Sequence, residues 1–237
     1  MATILLIDDD PCFRALVSTV IAGCGHKLIE VSSAKSAQPF LAEGGLDLVI
    51  LDGLLPDADG ATWLKTQRSQ GMTLPVLFVS AFRKSAKDQQ RIKEECGAED
   101  FLAKPTTAPA LLAKVERMLQ KSAPAAELQA VLRPEDLLIL QEMERDYALT
   151  LPGFIAGLKT ALEQLRANPR DTGLQGVARR RAHQIAGTAG SFGFALIGDA
   201  CAAIEDSVAL LQAGSGVNFA PVAKALAVLC ATPALAA

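Results

Sequence analysis

The sequence of 237 residues is half apolar and carries 23 basic and 26 acidic side chains, giving a net charge of −3. This length suggests about two domains, and the slight acidic excess excludes the basic surface that is typical of nucleic-acid-binding proteins. The five cysteines are scattered and form no C-x-x-C pair, which argues against a disulfide framework or a zinc site.

The first half alternates short apolar runs with amphipathic stretches. The apolar runs predict five strands, at residues 4–7, 28–31, 46–51, 74–79 and 101–103. The stretches between and after them predict helices at residues 11–24, 34–43, 61–69, 84–96 and 106–121. Regular alternation with short loops indicates a doubly wound α/β domain, whose continuously apolar strands suit a parallel sheet covered on both faces.

Strand patterns stop after residue 121. Residues 122–129 are predicted to form a linker between a domain at 1–121 and a second domain at 130–237. The second domain reads as an all-α helical bundle, with helices at residues 134–149, 152–167, 172–190, 195–213 and 220–230.

No signal peptide is expected at the amino terminus, which lacks a basic region and a cleavage site. No apolar stretch reaches the ~18 residues that a membrane-spanning helix needs. We therefore expect a cytoplasmic protein with no membrane partner.

Polar side chains follow four of the predicted strands, at the edge where an open parallel sheet binds ligands. They are three aspartates after strand one, a fourth after strand three, and a hydroxyl and an ammonium after strands four and five: Asp8, Asp9, Asp10, Asp52, Ser80 and Lys104. Such carboxylates repel one another unless a cation lies between them, and Mg²⁺ prefers oxygen ligands. Asp52 could then be a nucleophile toward phosphorus, with Lys104 and Ser80 stabilising the transferred oxygens. Asp10, which precedes Pro11, is expected to cap a helix instead.

These motifs resemble the receiver domain of two-component response regulators. They run Ile-Leu-Leu-Ile-Asp-Asp-Asp, Val-Ile-Leu-Asp-Gly-Leu-Leu-Pro-Asp-Ala-Asp-Gly, Val-Ser-Ala and Phe-Leu-Ala-Lys-Pro. The resemblance implies a flavodoxin-like strand order of 2-1-3-4-5 and a cis peptide before Pro105. It also implies that Asp52 is the phosphoacceptor and that the metal ligands are Asp8, Asp9, Asp52 and the Leu54 carbonyl. Ser80 and Lys104 would contact the phosphoryl oxygens, and Phe101 would be the switch aromatic.

Two positions depart from the receiver pattern. Leu54 and Phe82 lie two residues after Asp52 and Ser80, where the family often carries polar groups that position a hydrolytic water. Because both are apolar here, the resemblance predicts a long-lived phosphoaspartate, which suits a relay.

The chain has two histidines. His26 is expected to lie on the surface, in a turn. Around His183, the helical periodicity places an apolar stripe on the opposite side of the helix, so this imidazole is predicted to face solvent. Gly187 and Gly190 fall on the same face as His183, where bare backbone would let a partner approach the ring.

The surrounding residues resemble a histidine phosphotransfer domain, over about residues 130–230. The resemblance rests on Ala182-His183-Gln-Ile185, Gly187, Phe192-Gly193 and Cys201-Ala-Ala-Ile204-Glu205. It implies that His183 accepts and passes on a phosphoryl group. The family usually has lysine where this chain has Ala186. Arg179 and Arg180 either supply the missing positive charge near the phosphoryl group or simply form a solvated face of the helix.

Together the two resemblances imply a phosphorelay protein that uses Mg²⁺ and exchanges phosphoryl groups with a sensor histidine kinase or with other receiver or phosphotransfer proteins. Two alternatives stay open at this point. The second domain could be an inactive docking surface, or Asp8-Asp9-Asp10 could be the D-x-D motif of a haloacid-dehalogenase-type phosphatase. In the phosphatase, Asp8→Ala but not Asp52→Ala would abolish turnover.

Overall fold

The computed structural model describes residues 1–81, 86–119, 133–212 and 220–231. Its contacts divide the chain into two compact units, Met1–Gln141 and Glu142–Ala237. The predicted linker at 122–129 and the side chain of Phe82 lie outside the described residues, so the domain boundaries stay predictions.

The first unit contains a five-stranded parallel sheet in the order β2-β1-β3-β4-β5, which confirms the predicted topology. Its strands are β1 Thr3–Ile7, β2 Lys27–Val31, β3 Leu48–Asp52, β4 Val76–Ser80 and β5 Asp100–Ala103. Its helices are α1 Pro11–Gly23, α2 Ala34–Glu43, α3 Gly60–Ser69, α4 Ala86–Cys96 and α5 Ala108–Leu119. Strands β3 and β4 are buried along their whole length, as expected for continuously apolar strands with helices on both faces of the sheet.

Three helices of this unit, α1, α2 and α3, begin at polar caps that the sequence supplies. Asp10 accepts a hydrogen bond from the Cys12 amide, and Pro11 occupies the first helical position of α1, which confirms the predicted cap. The Ser33 hydroxyl caps α2, and Asp59 caps α3 by accepting from the Thr62 amide. Each cap fixes the residue at which the loop after a strand turns into a helix. The caps thereby fix the positions of the loops at the carboxyl edge of the sheet.

A buried carboxylate joins α4, β5 and α5. Asp100 accepts hydrogen bonds from Lys93 at 2.7 Å and Lys114 at 2.8 Å, and it also pairs with Arg117. Burial on its own raises the pKa of Asp100, but the hydrogen bonds from Lys114 and Lys93 outweigh it and the net pKa is lowered. Asp100 therefore stays charged and anchors the strand that leads to Lys104.

The second unit is built from helices, as predicted. They are α6 Pro134–Ala167, α7 Thr172–Thr188, a 3₁₀ turn at Ala189–Phe192, α8 Ala195–Gln212 and α9 Ala220–Ala231. The division between the two units falls within α6. Tyr147 packs on Phe192, with ring centroids 4.9 Å apart. Within the described ranges, no helix is both long and apolar enough to cross a membrane.

One prediction for this unit is wrong. Two helices were expected, at 134–149 and 152–167, but the structure has a single helix with Pro152 inside it. Proline removes a helical hydrogen bond and strains the preceding turn. Here Tyr147, Leu151 and Ile155 are all buried, so packing on both sides of the proline keeps one helix continuous against that local preference.

Candidate functional site

The predicted polar residues of the first unit meet at the carboxyl edge of the sheet. Asp8 follows β1, Asp52 ends β3, Ser80 ends β4 and Lys104 follows β5. Because all five strands are parallel, these ends lie at one edge. Each of the four side chains is at most 3% exposed, so the polar groups are gathered in a buried pocket rather than spread over the surface.

Lys104 bridges two of the carboxylates. Its Nζ lies 2.6 Å from Asp8 Oδ2 and 3.3 Å from Asp52 Oδ1, and 4.0 Å from the centroid of the Phe13 ring. Burial alone would lower the pKa of Lys104, but the carboxylates of Asp52 and Asp8 raise it overall, so the ammonium remains protonated. Lys104 thus holds a fixed positive charge beside Asp52.

The pocket retains an excess of negative charge. Burial raises the pKa of Asp8, Lys104 lowers it, and the charges of Asp52 and Asp10 raise it, so that the net pKa is about 7. Carboxylate oxygens of Asp8, Asp9 and Asp52 lie within 4.8 Å of one another. Three carboxylate oxygens this close together form a donor set that suits a hard divalent cation, and the predicted ligands therefore fit Mg²⁺.

The loop after Asp52 is held close to the pocket by two glycines. The Gly53 amide donates to the Val79 carbonyl at 2.8 Å, and a Cβ on Gly53 would lie 2.8 Å from the Ser80 hydroxyl oxygen. The Gly60 amide donates to the Gly53 carbonyl at 3.1 Å, and a Cβ on Gly60 would collide with the Asp52 carbonyl oxygen. Both glycines lie in the quoted motif, but their spacing alone predicts no role for them.

We predict that Gly60→Ala disturbs the backbone at Asp52. The new methyl group cannot be accommodated unless the backbone at Asp52 moves, and overpacking of this kind costs about 1–3 kcal/mol of folding free energy. Urea denaturation would measure the loss. Gly153→Ala is the matched control, because nothing lies within 4 Å of that helical position. A Gly60→Ala variant as stable as the wild type would contradict this packing argument.

The same loop is fixed to a neighbouring helix. The Asp57 carboxylate accepts hydrogen bonds from the backbone amides of Ala34 at 3.0 Å and Lys35 at 2.9 Å, at the start of α2. Leu54, the predicted carbonyl ligand, forms an isolated antiparallel bridge with Asp59. The loop that carries Leu54 is therefore anchored at both sides, and the role of its carbonyl stays a prediction.

Two further receiver expectations concern β5 and its end. The peptide between Lys104 and Pro105 is cis, which confirms the prediction. Phe101 is only 4% exposed and stacks on Phe78, with ring centroids 6.1 Å apart. Phe78 in turn lies beside Gly53, so an aromatic pair connects β5 with the loop after Asp52. The switching role of Phe101 stays a prediction.

In the second unit, His183 is paired with a buried carboxylate. The imidazole Nδ1 lies 3.0 Å from both carboxylate oxygens of Glu205, which α8 places opposite α7. Glu205 is 1% exposed. A carboxylate at this position favours the tautomer with the proton on Nδ1, and leaves the lone pair of the ring on Nε2. Glu205 lay in the quoted motif, but no role was predicted for it.

The expectation that His183 faces solvent is wrong, because the imidazole is only 5% exposed. Gly187, expected on the same open face, is also buried. The last turn of α7 and the residue after it, from Ile185 to Ala189, are buried, and α8 packs closely against them. A Cβ on Gly198 of α8 would lie 3.4 Å from the Gly190 amide nitrogen. Periodicity within one helix could not detect this covering helix.

The two arginines before His183 differ in their surroundings. Arg179 is half-buried, with Nε 3.8 Å from Glu205 and Nη1 bonded to Gln212 at 3.3 Å. Arg180 is exposed. Asp206, next to Glu205, has a raised pKa because of burial and the Glu205 charge. Arg179 therefore belongs to the His183–Glu205 cluster, whereas Arg180 lies on the solvated face.

The expectation for His26 is also wrong, because its side chain is 13% exposed and has two partners. The Ala2 amide donates to Nδ1 at 3.1 Å, and Nε2 lies 3.0 Å from Glu116. The unprotonated Nδ1 leaves the proton on Nε2, directed at the carboxylate. His26 therefore links the amino terminus to α5 and has a structural role that the turn pattern did not reveal.

Comparisons with known proteins match both halves of the chain. Residues 4–116 match the response regulator receiver domain, and residues 140–231 match the Hpt domain. Response regulator protein FleR of Pseudomonas aeruginosa is 35% identical over 126 residues, which cover 53% of this chain and 26% of FleR. Transcriptional regulatory protein PhoP of Escherichia coli (strain K12) is 28% identical over 131 residues, 55% of this chain and 58% of PhoP.

Among solved structures, a putative response regulator from Chloroflexus aurantiacus is 30% identical, with a TM-score of 0.46. The match covers 50% of this chain and 97% of the Chloroflexus chain. The chain thus spans about a quarter of the length of FleR and somewhat over half of PhoP.

Proposed function

Since this chain joins a response regulator receiver domain to an Hpt domain, we propose that it is a phosphorelay intermediate with Asp52 and His183 as its two phosphoacceptors. The observation that carries the proposal is the buried pocket in which Lys104 contacts the Asp52 carboxylate. A sensor histidine kinase, or another receiver or phosphotransfer protein, would supply and collect the phosphoryl group.

In the receiver, an Asp52 carboxylate oxygen attacks the phosphorus of a partner phosphohistidine. The new P–O bond forms as the P–N bond breaks, and the bonding pair returns to the ring nitrogen, so the imidazolium, which keeps the proton on its other nitrogen, leaves as neutral imidazole. Asp8, Asp9 and Asp52, together with the Leu54 carbonyl, would hold Mg²⁺, which supplies charge neutralisation of the phosphoryl oxygens. Lys104 and Ser80 bind the same oxygens once the Asp52 carboxylate is esterified.

In the Hpt domain, His183 attacks the phosphorus of a phosphoaspartate through Nε2. Glu205 holds Nδ1–H, orients the ring and stabilises the positive charge that develops on the imidazole. The P–N bond forms as the P–O bond to the aspartate breaks, and the electron pair returns to the carboxylate. Because His183 is 5% exposed, the side chains around it must move before a partner reaches Nε2.

The direct test uses the full chain and radiolabelled phosphoramidate, a small P–N donor that stands in for phosphohistidine. We expect label on the wild-type chain when Mg²⁺ is present, and loss of the base-labile acyl phosphate when the metal is removed with EDTA. Unlabelled protein in the presence of Mg²⁺ would contradict the proposal.

We predict slow hydrolysis of the acyl phosphate on Asp52, because the apolar Leu54 two residues away offers no hydrogen bond to a hydrolytic water. Decay of isolated phosphorylated protein would be followed after removal of the donor. The wild type should keep its label for many minutes, and Leu54→Asn should lose it faster. A half-life of seconds for the wild type would contradict the prediction.

We predict that Glu205→Gln slows phosphorylation of His183 by at least about tenfold, because the amide no longer stabilises a positively charged ring. Glu163→Gln, at an exposed position on α6, is the matched control and should label at the wild-type rate. The rate would be measured as acid-labile label accumulating from phosphoramidate. Equal rates for Glu205→Gln and the wild type would remove Glu205 from the mechanism.

One observation favours a second candidate function for the Hpt half. His183 is buried, and Ala186, itself 3% exposed, occupies the position of the usual lysine. Both features suit a phosphorylation-controlled receiver attached to a helical docking surface that carries no phosphoryl group. A His183→Gln variant that relays phosphate as well as the wild type would establish this alternative.

A further inference from the structure

Helix α6 carries a stripe of four side chains that are exposed within the part of the chain that the structure describes. Leu138 is 63% exposed and Leu149 is 75% exposed, and Glu142 and Arg145 between them are exposed as well. The spacing is four, three and four residues. At 100° per residue the four positions fall within about 60° of one another, so they form a single straight line along the helix.

This 4-3-4 spacing is the spacing of a coiled-coil seam, in which two such lines pack against each other. Leu138 and Leu149 are among the most exposed large apolar side chains of the described residues, and they place an apolar contact at each end of the line. The centre of the seam is a pair of opposite charges, which determines what kind of surface fits it.

The order Leu-Glu-Arg-Leu is complementary to itself when it is reversed. In an antiparallel pair related by a two-fold axis between Met143 and Glu144, Leu138 meets Leu149 of the other copy, and Glu142 meets Arg145. In a parallel pair, Glu142 would meet Glu142 and Arg145 would meet Arg145, which is unfavourable. Antiparallel packing also opposes the two helix dipoles.

We propose that this stripe is an isologous contact between two copies of the chain, with their α6 helices antiparallel. Leu138 and Leu149 bury their side chains against each other at the two ends, and the two Glu142–Arg145 pairs fix the orientation. The stripe extends over about 16 Å. A contact of that length is smaller than the interfaces of about 1,000 Å² or more that hold permanent dimers, so the dimer exchanges with monomer.

The test is sedimentation velocity on the full-length chain over a range of concentrations. We expect a concentration-dependent dimer for the wild type. Glu142→Arg and Arg145→Glu should each weaken it at least tenfold, since each places like charges together twice. An equimolar mixture of the two variants should recover the wild-type association, because every Glu then faces an Arg. The double variant Glu142→Arg/Arg145→Glu should dimerise by itself.

Leu138→Asp should also weaken the dimer, whereas Leu210→Asp is the control, because Leu210 is 59% exposed on α8 and lies off the stripe. Circular dichroism would establish that each variant keeps its helices. A monomeric wild type at the highest concentration would overturn the proposal and leave the stripe to a different partner. Single charge reversals without effect, or a mixture that stays monomeric, would overturn it equally.

Discussion

Asp52→Asn is expected to abolish the acyl phosphate of the receiver, with a loss of at least 100-fold in base-labile label. The amide is close in shape to the carboxylate but is a very poor nucleophile toward phosphorus, and no other carboxylate ends β3. The variant would be treated with labelled phosphoramidate and Mg²⁺, and its base-labile label compared with that of the wild type.

The control for this experiment is Asp146→Asn, an exposed carboxylate on α6 that should leave labelling unchanged. The fold should survive Asp52→Asn, since the amide oxygen still accepts a hydrogen bond from Lys104, which lies 3.3 Å from the present carboxylate. Full base-labile labelling of Asp52→Asn, with loss on Asp8→Ala, would instead support a phosphatase-type nucleophile on β1.

The receiver pocket could be predicted in detail because its residues are set by strand ends. A continuously apolar strand ends where its first charged residue appears, and parallel strands bring those ends together, so Asp8, Asp52 and Lys104 were placed without any knowledge of loops. The parts that escaped prediction depend on contacts through space. Gly60 must lack a side chain because the Asp52 carbonyl lies against it, and sequence spacing carries no record of that contact.

The helical half was harder to predict for a related reason. Periodicity describes which side of a helix is apolar, but not which neighbouring helix covers the polar side. Glu205 lies 22 residues from His183, and its carboxylate replaces the solvent that the imidazole was expected to meet. Pro152 predicts a break between two helices, yet buried residues before and after it hold one helix together. In both cases tertiary packing overrode a local signal.

The two proposed phosphoacceptors therefore differ in how ready they are to react. Asp52 lies in a pocket whose cationic partner, Lys104, is already in contact with it. His183 has its tautomer set by Glu205 but is covered, so its reaction includes an opening step that costs free energy. A phosphoryl group would consequently enter the receiver site more readily than the Hpt site from a small donor. This difference makes the histidine the more informative residue to replace.

His183→Gln is expected to abolish the acid-labile, base-stable label that marks phosphohistidine. Glutamine can still donate from its side-chain amide to Glu205, so the pair across α7 and α8 is kept while the nucleophilic nitrogen is lost. The measurement is best made in an Asp52→Asn background, where the remaining label reports on the second site alone. His26→Gln is the matched control, because His26 is the other histidine of the chain. If His183→Gln kept its acid-labile label while His26→Gln lost it, the phosphoacceptor would be His26; if both kept it, the label would lie on neither imidazole alone.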